Sequence, residues 1–283
     1  MSRQQTALVV EGGAMRGIFA AGVLDAFLAK GGAAFDHCIG VSAGAVNLAA
    51  YLAGQQGRNH RVITDYSCRA EFINFGKFVR GGHWLDLDWL WEITIREIRL
   101  DLAHFAANPV PLTVVTTRVS DGQAAYLRGS AEALEQQIKA SCSVPLAYRD
   151  FVRIAGEPMT DGGVADSIPV RHAYEQGARD ITVVLSRPLG YRKQAPRLPA
   201  LHRYLLRRTP ALAEASLARH HSYNDAIDFI QEPPTDCRIR VIVPPAGFRV
   251  GRMTTDKDRL DQGYQMGWQA GLAYLVRQER DGE

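Results

Sequence analysis

The sequence predicts an α/β protein with a mainly parallel central sheet. Three observations lead there. The first fifty residues run strand, turn, helix, strand, turn, helix, an order that lays successive strands parallel. Short β-branched runs recur at residues 181–185 and 238–243. Apolar residues make up 46% of the 283 and charged ones 22%, enough for a substantial core and typical of a globular chain.

The elements follow in order. Thr6–Val10 is a short apolar run, a buried strand. Residues 16–30 carry Ile18, Phe19, Val23, Leu24, Phe27 and Leu28 at helical spacing, and Gly31-Gly32 ends that helix. Residues 35–41 read as a second strand and 43–54 as a helix of small residues. Residues 58–104 are mainly helical, with Trp84, Trp89 and Trp91 grouped in one stretch that packs as core or covers a pocket. Residues 112–119 and 123–127 flank Asp121-Gly122, a hairpin signal. Residues 131–141 are helical and Pro145 closes them. Residues 181–185 and 238–243 are core strands, and 256–280 a closing helix. No repeat or long linker divides the chain, so residues 1–283 read as one domain. Its motifs lie within 6–186, and 187–283 form an extension.

Several classes drop out early. A net charge of +3 does not suggest a nucleic-acid binder. Cys38, Cys68, Cys142 and Cys237 form no CxxC pair, which argues against a zinc knuckle and for reduced thiols. The first apolar run is too short for a secretory signal, and the uncharged stretch 41–57 falls short of a membrane span. The expectation is a cytoplasmic protein, peripheral to a membrane at most.

Chemistry concentrates at three turns. Gly12-Gly13-Ala14-Met15-Arg16-Gly17 joins the first strand to the first helix. Backbone N–H groups crowd there and the helix adds its positive end, so the turn suits an anion. Its G-G-x-x-x-G spacing is not the dinucleotide fingerprint, although Asp36 sits where a ribose-binding acid would. A Walker loop fails for want of Lys-Ser/Thr. An oxyanion hole and an unliganded βα turn remain. Gly40-Val41-Ser42-Ala43-Gly44 fits the nucleophile elbow, G-x-S-x-G between strand and helix, where the competing role for Ser42 is a plain helix cap. Asp161-Gly162-Gly163 offers a carboxylate that could take a serine proton, or a solvated turn.

The order and spacing of these blocks resemble the patatin-like phospholipase family. Ala140-Ser141-Cys142-Ser143-Val144-Pro145 is similar to that family's Ala-Ser-x-x-x-Pro segment. The resemblance implies a three-layer α/β/α fold and a Ser-Asp dyad, Ser42 and Asp161, without histidine. It implies an oxyanion hole from Gly12, Gly13 and Ala14, supported by Arg16, Gly17, Gly40, Gly44, Gly162 and Gly163. The activity implied is hydrolysis of lipid acyl esters with no calcium, metal or cofactor. Ala14 departs from the pattern, since a third glycine is usual there and alanine resists positive φ.

A histidine triad is the rival. His172, His202, His220 and His221 all follow Asp161, but only 41 residues precede Ser42, too few for the strands that usually lead to that elbow. Residues 181–213 contain no acid and carry Arg187, Arg192, Lys193, Arg197, Arg203, Arg207 and Arg208 among Leu201, Tyr204, Leu205 and Leu212. This basic stretch, 187–208, suits either an anionic membrane or plain solvent, and nucleic acid is not expected. Three functions stay open: a lipid acyl hydrolase acting on a lipid substrate, a non-catalytic lipid-binding relative, and a Rossmann-type nucleotide binder.

Overall fold

The structure, a computed structural model, describes residues 5–282. β1 (Thr6–Val10) leads through a short 3-10 turn into α1 (Gly17–Ala29), then β2 (His37–Val41) and α2 (Ala43–Leu52). α3 (Arg58–Arg61) continues into a π turn at Val62–Tyr66, followed by α4 (Phe75–Val79), α5 (Leu87–Glu97) and α6 (Leu102–Ala107). β3 (Leu112–Arg118) and β4 (Ala124–Arg128) form the expected hairpin. After them come α7 (Leu134–Cys142), β5 (Val152–Ile154), β6 (Glu157–Asp161) and α8 (Val170–Glu175). β7 (Asp180–Val184), α9 (Pro199–Leu205), α10 (Pro210–Gln231), β8 (Arg238–Ile242) and α11 (Lys257–Gly282) complete the described chain.

The four strands β2, β1, β7 and β8 lie side by side and parallel, and β3 continues them on the β2 side. Side chains alternate between faces, as the pleat requires. Leu8 and Val10 join Phe19, Val23, Phe27 and Leu48 in one core layer. Ala7 and Val9 join Ala173, Tyr223, Ile227 and Ile230 in the other. Helices α1, α2 and α11 cover the first face, α8 and α10 the second, which is the three-layer α/β/α arrangement.

β3 decides where the site forms. Val114 and Val115 pair with both β2 and β4, so those two strands occupy opposite edges of β3. Thr116 and Thr117 pair with both β4 and β6, so these also lie on opposite edges. β2 and β6 therefore share one edge and meet end to end. Val41 stands opposite Val115, and Asp161 stands opposite Thr116, the next residue along. One residue step on a strand is about 3.4 Å. Two distant segments thus deliver their last residues to the same point.

α1 and α11 make backbone contact. A Cβ on Gly22 would lie 2.1 Å from the Tyr264 carbonyl oxygen, and one on Gly267 would lie 2.0 Å from that of Phe19. Among the described residues no helix is long and apolar enough to cross a membrane.

Candidate active site

Ser42 leaves β2 with φ 52° and ψ −125°. A non-glycine residue in that region is strained, and this is the backbone shape a nucleophile elbow takes, at the N-cap position of α2. The hydroxyl makes no capping bond to α2. The turn is possible because its neighbours are small. A Cβ on Gly44 would sit 2.3 Å from the Val10 carbonyl oxygen, and the Gly40 position faces the Ala45 backbone.

The strained serine is held by a buried relay. Its N–H donates to Ser141 Oγ at 2.7 Å, and Ser141 donates to the Val115 carbonyl at 2.6 Å. Two residues on, the Ser143 carbonyl accepts the Asp161 N–H at 3.1 Å and the Thr160 hydroxyl at 2.6 Å. Residues 141–143, at the C-terminal end of α7, thus hold both Ser42 and Asp161. Sequence reading found this segment only as a motif. Its two serines become legible once both partners are known to end at β3.

Asp161 is 4% exposed, and its Oδ1 accepts the Gly163 N–H at 2.8 Å. Gly162 packs edge-on, since a Cβ there would reach 2.1 Å from the Val115 carbonyl oxygen. Among the described residues no hydrogen bond joins Asp161 to the Ser42 hydroxyl; the two approach through the strand ends that carry them. The Cys142 thiol lies between their influences. Burial and then the Asp161 charge push it up, and the Ser42 hydroxyl acts the other way.

The glycine turn lies against Ser42. A Cβ on Gly12 would be 2.9 Å from Ser42 Cβ, and one on Gly17 would be 2.9 Å from Ala43 Cβ. Ala14 takes φ 50°, the conformation that a third glycine would adopt freely, so the turn keeps its shape at a cost of about 1–2 kcal/mol. Arg16 braces the turn: Nε and Nη2 donate to Ser186 Oγ at 3.2 and 3.0 Å. The Ser186 N–H in turn donates to the buried Glu11 carboxylate at 2.6 Å.

Ala14 and Ser42 open onto a cavity of about 140 Å³ walled by Val46, Ile63, Phe72, Leu90, Trp91 and Ile138. Trp91 therefore lines it, while Trp84 and Trp89 pack into the neighbouring apolar cluster around Leu85 and Leu87. No histidine is among its walls. His172 stacks on Tyr126 with ring centres 3.5 Å apart, and His220 lies against His221 with the rings tilted by 40°. Asp36 caps β1 instead of facing the turn, accepting the Thr6 N–H at 2.8 Å. Among the described residues no group of three or more His, Cys, Asp or Glu is placed to hold a metal ion.

The basic stretch divides. Lys193 turns inward over the Tyr223 ring, Arg187 packs on Tyr191, and Arg192 and Arg203 pair with Asp228 and Glu214. Leu198, Leu201, Tyr204 and Leu205, on and beside α9, stay exposed.

Over 275 residues the chain is 34% identical to the Uncharacterized protein YjjU of Escherichia coli (strain K12), a match covering 95% of this chain and 77% of that one. Among solved structures it is similar to VipD from Legionella pneumophila, with a TM-score of 0.47 and 13% identity over 97% of this chain and 67% of that one. Residues 209–280 match a family model described as a domain of unknown function. The model for patatin-like phospholipases matches residues 8–174, more than half the chain, and the chain therefore belongs to that family of lipid acyl hydrolases.

Proposed function

We propose that the chain is a serine acyl hydrolase that cleaves fatty-acyl esters of phospholipids, lysophospholipids or related lipids through Ser42 and Asp161. The observation that carries this reading is the meeting of β2 and β6 on one edge of β3, which brings a strained serine and a buried carboxylate together.

In this mechanism the acyl chain lies in the apolar cavity and its carbonyl carbon sits over Ser42. Oγ attacks that carbon while its proton passes to the Asp161 carboxylate. The carbonyl oxygen, now negative, takes N–H donors of Gly13 and Ala14, with Gly12 beside them. One such donor contributes about 10²–10³ in rate. The ester C–O bond then breaks, and the leaving alcohol carries off the proton held by Asp161. Water attacks the acyl-enzyme and gives its own proton to Asp161. The fatty acid departs as that proton returns to Ser42 Oγ. Asp161 must reach Ser42 only when the ester is in place, since catalytic hydrogen bonds often tighten in the complex. Nothing in these steps calls for calcium.

Exposed Leu198, Leu201, Tyr204 and Leu205, with Arg197, Arg207 and Arg208 beside them, supply an apolar and cationic contact for an anionic membrane surface. Liposome sedimentation checks this contact: binding should require anionic lipid and fall when Leu201 and Tyr204 are both made Ser.

The hydrolase is tested with a fluorophosphonate probe and a medium-chain acyl ester. Wild type should label and turn over. Ser42→Ala should do neither, and Asp161→Asn should lose at least about 10²-fold in turnover. Normal rates in either variant would refute the dyad.

A further inference from the structure

A segment outside the patatin match enters the site. Lys193, in the loop after β7, puts Nζ 3.5 Å from Ser167 Oγ and 4.2 Å from the Tyr223 ring centre. Arg219, on α10, puts Nε 3.4 Å from the same hydroxyl. Its Nη2 and Asp161 Oδ1 both lie 2.9 Å from the point a Cβ on Gly163 would occupy. Arg16 is only 3% exposed, and its Nη1 has no partner among the described residues; nor does the buried Tyr223 hydroxyl.

Cations drawn wholly or partly out of water are costly unless an anion meets them. Here the side-chain hydrogen bonds of Arg16, Lys193 and Arg219 go to serine hydroxyls. Among the described residues Glu11 and Asp161 are the carboxylates that offset them, while Arg252 adds a further positive charge. Both carboxylates already accept a backbone N–H. Desolvation, with Arg219 and Arg252 next, pushes Lys193 down to about 6. Even with Lys193 held down, Arg16, Arg219 and Arg252 outnumber Glu11 and Asp161 beside the glycine turn, and a bound anion would draw the proton back onto Lys193.

We infer that Lys193 and Arg219, with the Tyr223 hydroxyl and Arg16 behind them, form a subsite for a phosphate-type oxyanion. Arg219 and Tyr223 belong to residues 209–280, so the segment of unassigned role completes the active site. Two sources supply such an anion: the phosphate of a lipid headgroup, or free phosphate. The headgroup version rests on the acyl-hydrolase reading of Ser42.

Calorimetry on the full chain carrying Ser42→Ala tests the subsite without turnover. The probes are inorganic phosphate, a short-chain lysophosphatidate below its micelle-forming concentration, and the monoacylglycerol of the same chain length. The lysophosphatidate should bind about tenfold tighter than the monoacylglycerol, the scale of one charge-assisted contact. Adding Lys193→Met should cut that preference below threefold, and Tyr223→Phe, a gentler change, should reduce it part of the way. Lys193-dependent binding of inorganic phosphate with no preference between the lipids supports the subsite and assigns it to the free ion. No Lys193-dependent binding of either phosphate compound overturns it. Fluorophosphonate labelling of wild type reports separately on Ser42, so failure of the hydrolase reading is not confused with failure of the subsite.

Discussion

Replacing Ser141 by alanine removes one oxygen that serves two buried groups. Ser141 is fully buried and takes the Ser42 N–H at 2.7 Å while giving its own proton to the Val115 carbonyl at 2.6 Å. Neither partner can turn to water without opening the join between β2 and β6. Each lost hydrogen bond removes about 1 kcal/mol, and a buried group left unpaired costs about 1–3 kcal/mol. With two groups left unpaired the change should destabilise by about 2–6 kcal/mol, a large share of a typical 5–15 kcal/mol. It also frees Ser42 to relax from φ 52°, so ester turnover should fall at least about tenfold, one factor of ten for each 1.4 kcal/mol of lost positioning. Urea denaturation read by fluorescence gives the first number and ester kinetics the second. Ser143→Ala is the comparison, because that hydroxyl only returns to the Ala140 carbonyl of its own helix at 2.7 Å. It should cost about 1 kcal/mol. If the two variants match in stability and turnover, the relay does not hold the elbow.

Three further outcomes are expected. Gly44→Ala would bring a Cβ to 2.3 Å from the Val10 carbonyl oxygen, where only backbone can yield, so denaturation should show a loss above about 3 kcal/mol and labelling of Ser42 should vanish. Ala14→Gly relieves a positive φ while loosening the unfolded chain by about 0.4–1 kcal/mol, so stability should hold or rise by up to about 1 kcal/mol; a loss beyond that in the same urea assay would contradict the strain assigned there. Burial raises the Asp25 carboxyl despite donors from Tyr264 and Gly57. The folded chain then keeps this proton at a pH where the unfolded chain has lost it, so stability declines as pH climbs from about 4 through the raised value. Asp25→Asn should flatten that decline in urea titrations at pH 4.5 and 7.

The parallel core was legible because its strands are short apolar runs bracketed by glycine turns, and β1 begins and ends where the sequence places it. The β5–β6 hairpin was not. Val152–Ile154 is three residues long and half exposed, so no alternation builds up, although it sets the direction in which Asp161 arrives. α10 also escaped notice. Its buried Leu212, Leu217, Tyr223, Ile227 and Ile230 are spread through a polar stretch with two adjacent histidines, and its amphipathic signal is weak. Ser42 and Asp161 stood out through their glycine neighbours, which report a backbone shape. Ser141, Lys193 and Arg219 have no such flag, since their roles exist only where segments far apart in sequence converge.

The glycine contacts between α1 and α11 bear on how the protein comes into being. α1 is buried on nearly every side and carries the glycine turn at its start. The turn and Ser42 lie far ahead of α11 in sequence, and the face of α1 at Gly22 is closed only by the 26 residues of α11. A chain lacking α11 would hold Ser42, the proposed nucleophile, with this side of its scaffold still open. On the proposed hydrolase reading, competence would then follow the docking of α11 on α1.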